Sequence, residues 1–193
     1  MNQAGTIMVV DILNVGFGQS IIAYPMREKA PALVIDGGDD RPEVYSTSTH
    51  ATPLCKHLKS VGIEKIDLMV ATHPHRDHIG GLVRIAEDFP VGRFAAFFDL
   101  PPASIPTGEG NMYSAIRLYS ETLTALGRQE SEILLISGDG ELQCGGIKVK
   151  VYPPNTALLE QARSFLFACA QNPDPEKLTR LSEMLNSVCM TLR

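Results

Sequence analysis

The sequence predicts a single α/β domain spanning residues 1–193. Short apolar runs rich in β-branched residues alternate with longer stretches of helical spacing, which is the pattern of strands and helices in layers. No repeat, low-complexity tract or linker divides the chain, and 193 residues suffice for one substantial core.

Residues 7–13 form the first expected strand, broken only by Asp11. Asn14-Val15-Gly16-Phe17-Gly18-Gln19-Ser20 follows, then a second strand over 21–24. Two glycines between strands predict a sharp connection or a close approach of another part of the chain. A phosphate-binding glycine loop would need a helix after it, and none is signalled. Residues 27–30 read as a hairpin turn. The third strand, 32–35, ends in Asp36-Gly37-Gly38-Asp39-Asp40. Asp36 is there either as a turn residue or as an acid that orients a neighbouring loop through hydrogen bonds. The Ser- and Thr-rich stretch 42–49 reads as a loop. Pro53 starts a helix with Leu54, Leu58 and Val61 at helical spacing and Gly62 as its stop. His50 and His57 are expected as surface or packing histidines.

The next strand, 66–71, runs into Thr72-His73-Pro74-His75-Arg76-Asp77-His78-Ile79-Gly80-Gly81. Three of the chain's five histidines and one carboxylate fall within six residues. Imidazole and carboxylate donors emerging together from a strand end suit zinc, manganese or iron. His73 and His75, two apart in an extended segment, point the same way and can share one ion. Asp77 and His78 can reach a second ion or the far side of the first. Residues 79–89 have helical spacing, so the motif starts a helix, and Asp77 near its N-terminus is favoured as an anion.

Beyond the motif, 93–98 is a strand, and 101–111, dense in Pro, Gly and Ser, is a loop long enough to lie over a site. Residues 113–126 form a helix ended by Gly127; 133–136 and 147–151 are strands. Residues 156–171 form an amphipathic helix with Leu158, Leu159, Ala162, Phe165, Leu166 and Cys169 near one face. Asn172-Pro173-Asp174-Pro175 breaks it, and a second helix covers 176–185. This pair serves either core packing or a partner surface. Residues 186–192 begin something extended.

His73-Pro74-His75-Arg76-Asp77-His78 resembles the HxHxDH signature of the metallo-β-lactamase superfamily. The flanks resemble the hydrolase domain of the competence protein ComEC and its relatives, with matches at residues 14–20, 34–38, 72–82, 138–146, 152–154 and 186–187. The resemblance implies a metallo-β-lactamase-like αββα sandwich with its metal site at the sheet edges. His73 and His75 would bind a first metal, Asp77 and His78 a second, and Asp36 would support the ligand loop. One or two divalent ions, zinc before manganese or iron, would activate water. Asp77 and His75 would be the residues on which catalysis depends, and a phosphodiester in a nucleotide or DNA would be the substrate. Gln19 replaces the family's usual acid, and the helices at 156–185 look like an insertion. The family continues to a TGD segment and a further histidine that this chain does not contain; Asp139 superficially resembles that Asp but fits an earlier segment better. Hence the fold is expected to be incomplete at the C-terminus, the chain being either part of a longer product or completed by a partner chain or self-association. The alternative is a truncated or degenerate, inactive metal-binding or interaction module.

A net charge of −5 gives no global basic footprint for nucleic acid. No stretch is long and apolar enough to span a membrane, which predicts a cytoplasmic protein. Cys55, Cys144, Cys169 and Cys189 form no CxxC pair and read as small apolar residues in a reducing compartment.

Overall fold

The computed structural model describes residues 7–27, 31–47, 50–98, 109–152, 155–172, 174–188 and 191–192. Among the described residues nine strands fall into two sheets. The larger holds β1 (Met8–Ile12), β2 (Ile21–Pro25), β3 (Ala32–Ile35), β4 (Ile66–Val70), β5 (Val91–Ala96) and β6 (Glu132–Leu135) in sequence order. The pairs β1–β2 and β2–β3 are antiparallel, whereas β3 through β6 run parallel. The smaller sheet holds β7 (Gly140–Cys144), β8 (Ile147–Tyr152) and β9 (Thr191–Leu192), all antiparallel. The helices are α1 (Pro42–Thr47), α2 (Leu54–Ser60), α3 (Arg76–Asp88), α4 (Asn111–Arg128), α5 (Thr156–Gln171) and α6 (Pro175–Ser187). The expected α/β class, with two sheets and helices, is the one observed.

Side-chain alternation assigns the two faces of the large sheet. Phe94 packs against Tyr119 of α4, with ring centroids 6.3 Å apart. Its neighbour Arg93 therefore points the other way, where its guanidinium donates to the Gln143 carbonyl in β7. The central strand β4 is buried on both sides, which is why 66–70 reads as an unbroken apolar run apart from Asp67. Beyond the strand ends, Arg163 of α5 donates to the Phe97 carbonyl at 2.7 Å and to the Ile136 carbonyl at 2.7 Å. Leu159, Ala162, Leu166 and Cys169 of α5 join Leu178, Leu181 and Leu185 of α6 in the core, so packing is a role of this pair. At the other side of the molecule the edge strand β1 leaves Val10 and Ile12 60% and 80% exposed.

Three expectations are corrected. Residues 42–47 form α1 rather than a loop: Pro42 suits a first helical position, Val44 is buried and the Tyr45 hydroxyl donates to the Asp39 carbonyl at 2.6 Å. Local Ser and Thr content hid these tertiary contacts. Second, β7 has no counterpart among the expected strands. It pairs with β8 through the two-residue turn Gly145-Gly146, whose φ values of 55° and 92° fit a primed hairpin turn. Residues 186–187, matched in sequence to the start of a strand, are instead the last turn of α6. The proposed loop over the site, and Cys189, lie outside the described residues for 99–108 and 189. Cys144 and Cys169 are buried and free, and burial pushes both thiols up, Cys144 to about 11 with help from the Asp67 charge. Among the described residues no helix is long and apolar enough to cross a membrane.

The start of α3 is clamped to the segment after β3 by backbone contact. Gly37 N–H donates to the His78 carbonyl at 2.5 Å, and Gly81 N–H to the Gly38 carbonyl at 3.1 Å. A Cβ on Gly81 would sit 2.2 Å from the Gly37 carbonyl oxygen, whereas a Cβ on Gly127 would meet nothing within 4 Å. Both glycines lie in helices, where alanine is intrinsically favoured by about 0.5–1 kcal/mol. At Gly81 overpacking against rigid backbone, costing about 1–3 kcal/mol, outweighs that gain. Gly81→Ala should therefore lower the urea midpoint and Gly127→Ala raise it; equal shifts would refute the clamp.

Candidate metal centre

The motif sits at the carboxyl ends of the parallel strands, where open α/β sheets place their sites. β4 ends at Val70, Ala71 N–H donates to the Ala95 carbonyl at 3.0 Å, and the chain then turns across Thr72 and His73. His75 is the N-cap of α3, with extended backbone and no side-chain cap; Asp77 and His78 lie in the first turn. The helix thus begins inside the motif rather than after it. Arg76 pins that first turn to the neighbouring loop, with Nε 2.7 Å from Asp40 and 3.7 Å from Asp39. Asp39 is itself held by Arg41, and this pairing outweighs the upward push of burial to leave its carboxyl below the usual range.

Asp36 lies at the end of β3 with φ 56°, a left-handed conformation that Asp tolerates better than most residues. Its carboxylate is fully buried and accepts three hydrogen bonds: from Thr72 N–H at 2.8 Å, from Thr72 Oγ1 at 2.6 Å and from His78 Nδ1 at 2.7 Å. The Asp36 carboxylate thus bonds residues of the histidine segment, 36 and 42 positions away in sequence.

The three motif histidines are gathered. His73 and His78 have ring centroids 4.1 Å apart, and His73 and His75 4.8 Å apart. Each has one ring nitrogen in a hydrogen bond: His73 Nδ1 with Thr72 Oγ1 at 3.1 Å, His78 Nδ1 with Asp36, and His75 Nε2 with Ser182 Oγ at 2.9 Å. The remaining nitrogens are His73 Nε2, His75 Nδ1 and His78 Nε2. Burial, then the neighbouring His78 and His75, lowers His73 to about 3, so this ring is neutral at physiological pH. Burial also lowers His75, against the pull of Asp77. At His78 burial is outweighed by the Asp36 hydrogen bond and charge, with Asp77 adding, and the pKa rises.

By the chemistry of its donors this set fits a divalent ion: three imidazoles with one nitrogen each to spare, and the half-buried Asp77 carboxylate. Asp77 Oδ2 lies 3.8 Å from His78 Nε2, while two ligands on one tetrahedral ion stand about 3.4 Å apart. Among the described residues, however, no three His, Cys, Asp or Glu side chains converge tightly enough to enclose an ion as they stand. His57 lies elsewhere, paired to Asp11 at 2.9 Å, and His50 is exposed. Asp139 is exposed in the turn before β7.

Sequence reasoning missed Thr72 and Ser182 as partners of the histidines. Thr72 carried a signal, since it directly precedes His73 at a strand end; Ser182 carried none, being 107 residues from His75.

Residues 19–96 match the family model described as the metallo-beta-lactamase superfamily, the superfamily that the HxHxDH segment resembles. The chain is 29% identical over 137 residues to "Hydroxyacylglutathione hydrolase 2" of Vibrio vulnificus (strain YJ016), covering 68% of this chain and 48% of that protein. It is likewise 29% identical over 139 residues to "Hydroxyacylglutathione hydrolase" of Stenotrophomonas maltophilia (strain R551-3), covering 67% and 50%. The chain thus spans about half the length of the curated relatives it matches. Among solved structures, an archaeal metallo-beta-lactamase superfamily protein from Sulfolobus tokodaii aligns at 16% identity and TM-score 0.42, over 74% of this chain and 54% of that one. A metallo-beta-lactamase mutant from Cronobacter sakazakii aligns at 15% and 0.43, over 74% and 50%.

Because Asp36 joins β3, the strand-end turn and α3, its replacement is the sharpest test of the assembly. Asp36→Asn keeps the shape but sets an amide N–H₂ against at least one buried donor. Leaving such groups unsatisfied should cost about 2–4 kcal/mol. For a chain of this size that lowers the melting temperature by roughly 5–15 °C. A calorimetric change below about 1 kcal/mol, the scale of an ordinary single hydrogen bond, would show that Asp36 is only a turn residue.

Proposed function

We propose that this chain is a metal-dependent hydrolase of the metallo-β-lactamase superfamily. The observation that carries the reading is the gathering of His73, His75 and His78 at one helix start, each with a single ring nitrogen left over. His73 and His75 would hold a first divalent ion, Asp77 and His78 a second, with zinc favoured by the nitrogen-rich donor set and manganese or iron as alternatives. Such ions would polarise the scissile bond and let water attack near neutral pH. Asp36 positions His78 and Thr72 through its three hydrogen bonds. The Asp77 carboxylate, half-buried at the helix start, orients the attacking water and accepts its proton.

The substrate proposed is a phosphodiester, in a nucleotide or nucleic acid, on the strength of the ComEC-like segments flanking the motif. A second substrate reading, the acyl–sulfur bond of a hydroxyacylglutathione, is favoured by the curated relatives. A different class, a metal-binding or interaction module without turnover, is favoured by the loose convergence of the donors.

Parallel assays separate them. The purified chain, loaded with zinc or manganese, is expected to hydrolyse bis(p-nitrophenyl) phosphate faster than S-lactoylglutathione. His75→Ala and Asp77→Ala should each abolish turnover, and elemental analysis should approach two ions per chain for a dinuclear centre. Turnover that survives both substitutions excludes this mechanism. One ion or fewer, with no turnover of either substrate, favours the module without activity.

A further inference from the structure

His75 differs from its two neighbours in where its hydrogen-bond partner comes from. Thr72 and Asp36 hold His73 and His78 from the strand ends of the large sheet. Ser182, whose Oγ lies 2.9 Å from His75 Nε2, comes from the middle of α6. Its place is set by packing, because Leu178, Leu181 and Leu185 on the same helix are buried in the core. Among the described residues no other side chain hydrogen-bonds the His75 ring.

We infer that Ser182 is a positioning residue of the metal centre: its hydroxyl oxygen accepts from His75 Nε2–H, fixing the tautomer and leaving Nδ1 as the nitrogen for an ion. The consequence for metal rests on the proposed function above; the link between Ser182 and His75 does not. A metal-binding histidine needs a partner on its other nitrogen to fix both tautomer and ring orientation. Serine does this without adding charge beside Asp77, which already faces His75 electrostatically. Removing the hydroxyl leaves a partly buried N–H without its partner and frees the ring to exchange tautomers. Helix α6 is then part of the centre, since its docking decides which nitrogen His75 offers.

Long-range ¹H–¹⁵N correlation spectra of the metal-free chain at neutral pH test the link directly. Wild-type His75 should be in the Nε2–H form, and Ser182→Ala should show a mixture. Chelator competition should find zinc bound about 10–100-fold more weakly by Ser182→Ala. Ser182→Thr, which keeps the hydroxyl, should restore both readouts. A wild-type His75 in the Nδ1–H form overturns the inference without any variant. So does a Ser182→Ala chain with unchanged tautomer and zinc affinity. If the tautomer shifts as expected but the wild-type chain binds no zinc, the metal-centre reading falls and the Ser182 link stands.

Discussion

The structure depends on one buried carboxylate. Asp36 has no exposed surface, and an isolated charge so placed would cost many kcal/mol. It is tolerated because a backbone amide, a hydroxyl and an imidazole are all aimed at it within 2.8 Å. Those donors come from the turn after β4 and from the first turn of α3. A single side chain therefore fixes both the direction in which the chain leaves the sheet and the angle at which the helix enters. The left-handed backbone at Asp36 is the strain that this aim requires, and the hydrogen bonds offset it.

Backbone proximity completes the clamp. Added Cβ atoms at Gly37 and Gly80 would collide with the Leu82 and Asp40 backbone nitrogens at 2.6 Å, and one at Gly18 would overlap the Asp77 carbonyl at 1.6 Å. The β1–β2 connection and the β3 loop thus both rest on the segment that carries the histidines. With Arg76 tied to Asp40 as well, the donors stand on a platform with little freedom, as a site requiring fixed geometry demands.

What the sequence made legible follows from how local the physics is. The strand feeding the site, the existence of a helix at the motif and the closeness of His73, His75 and His78 were readable, because each rests on periodicity or on residues a few positions apart. The closely packed Gly16–Gly18 connection was also readable, since glycine between strands announces backbone contact. Three things were not. Helix α1 depends on Val44 and Tyr45 finding partners elsewhere, and its polar composition points the other way. Strand β7, with polar residues at Glu141 and Gln143, is a strand because it pairs with β8. The Ser182–His75 contact joins two elements that nothing in the intervening sequence relates.

The same distribution of partners bears on how the centre is assembled. With the His75 and His78 rings both centred within 5 Å of the His73 ring, the three cannot all carry charge, and burial already holds His73 neutral. Neutral rings are ready for an ion, yet readiness also requires that each present the correct nitrogen. Here that choice is made by three different elements: the turn after β4 for His73, the end of β3 for His78, and α6 for His75. No short segment excised from the chain could carry all three constraints, because the hydrogen bonds span 1, 42 and 107 residues of sequence. The donors lie close together in sequence, but the orientation of their rings is a property of the folded chain.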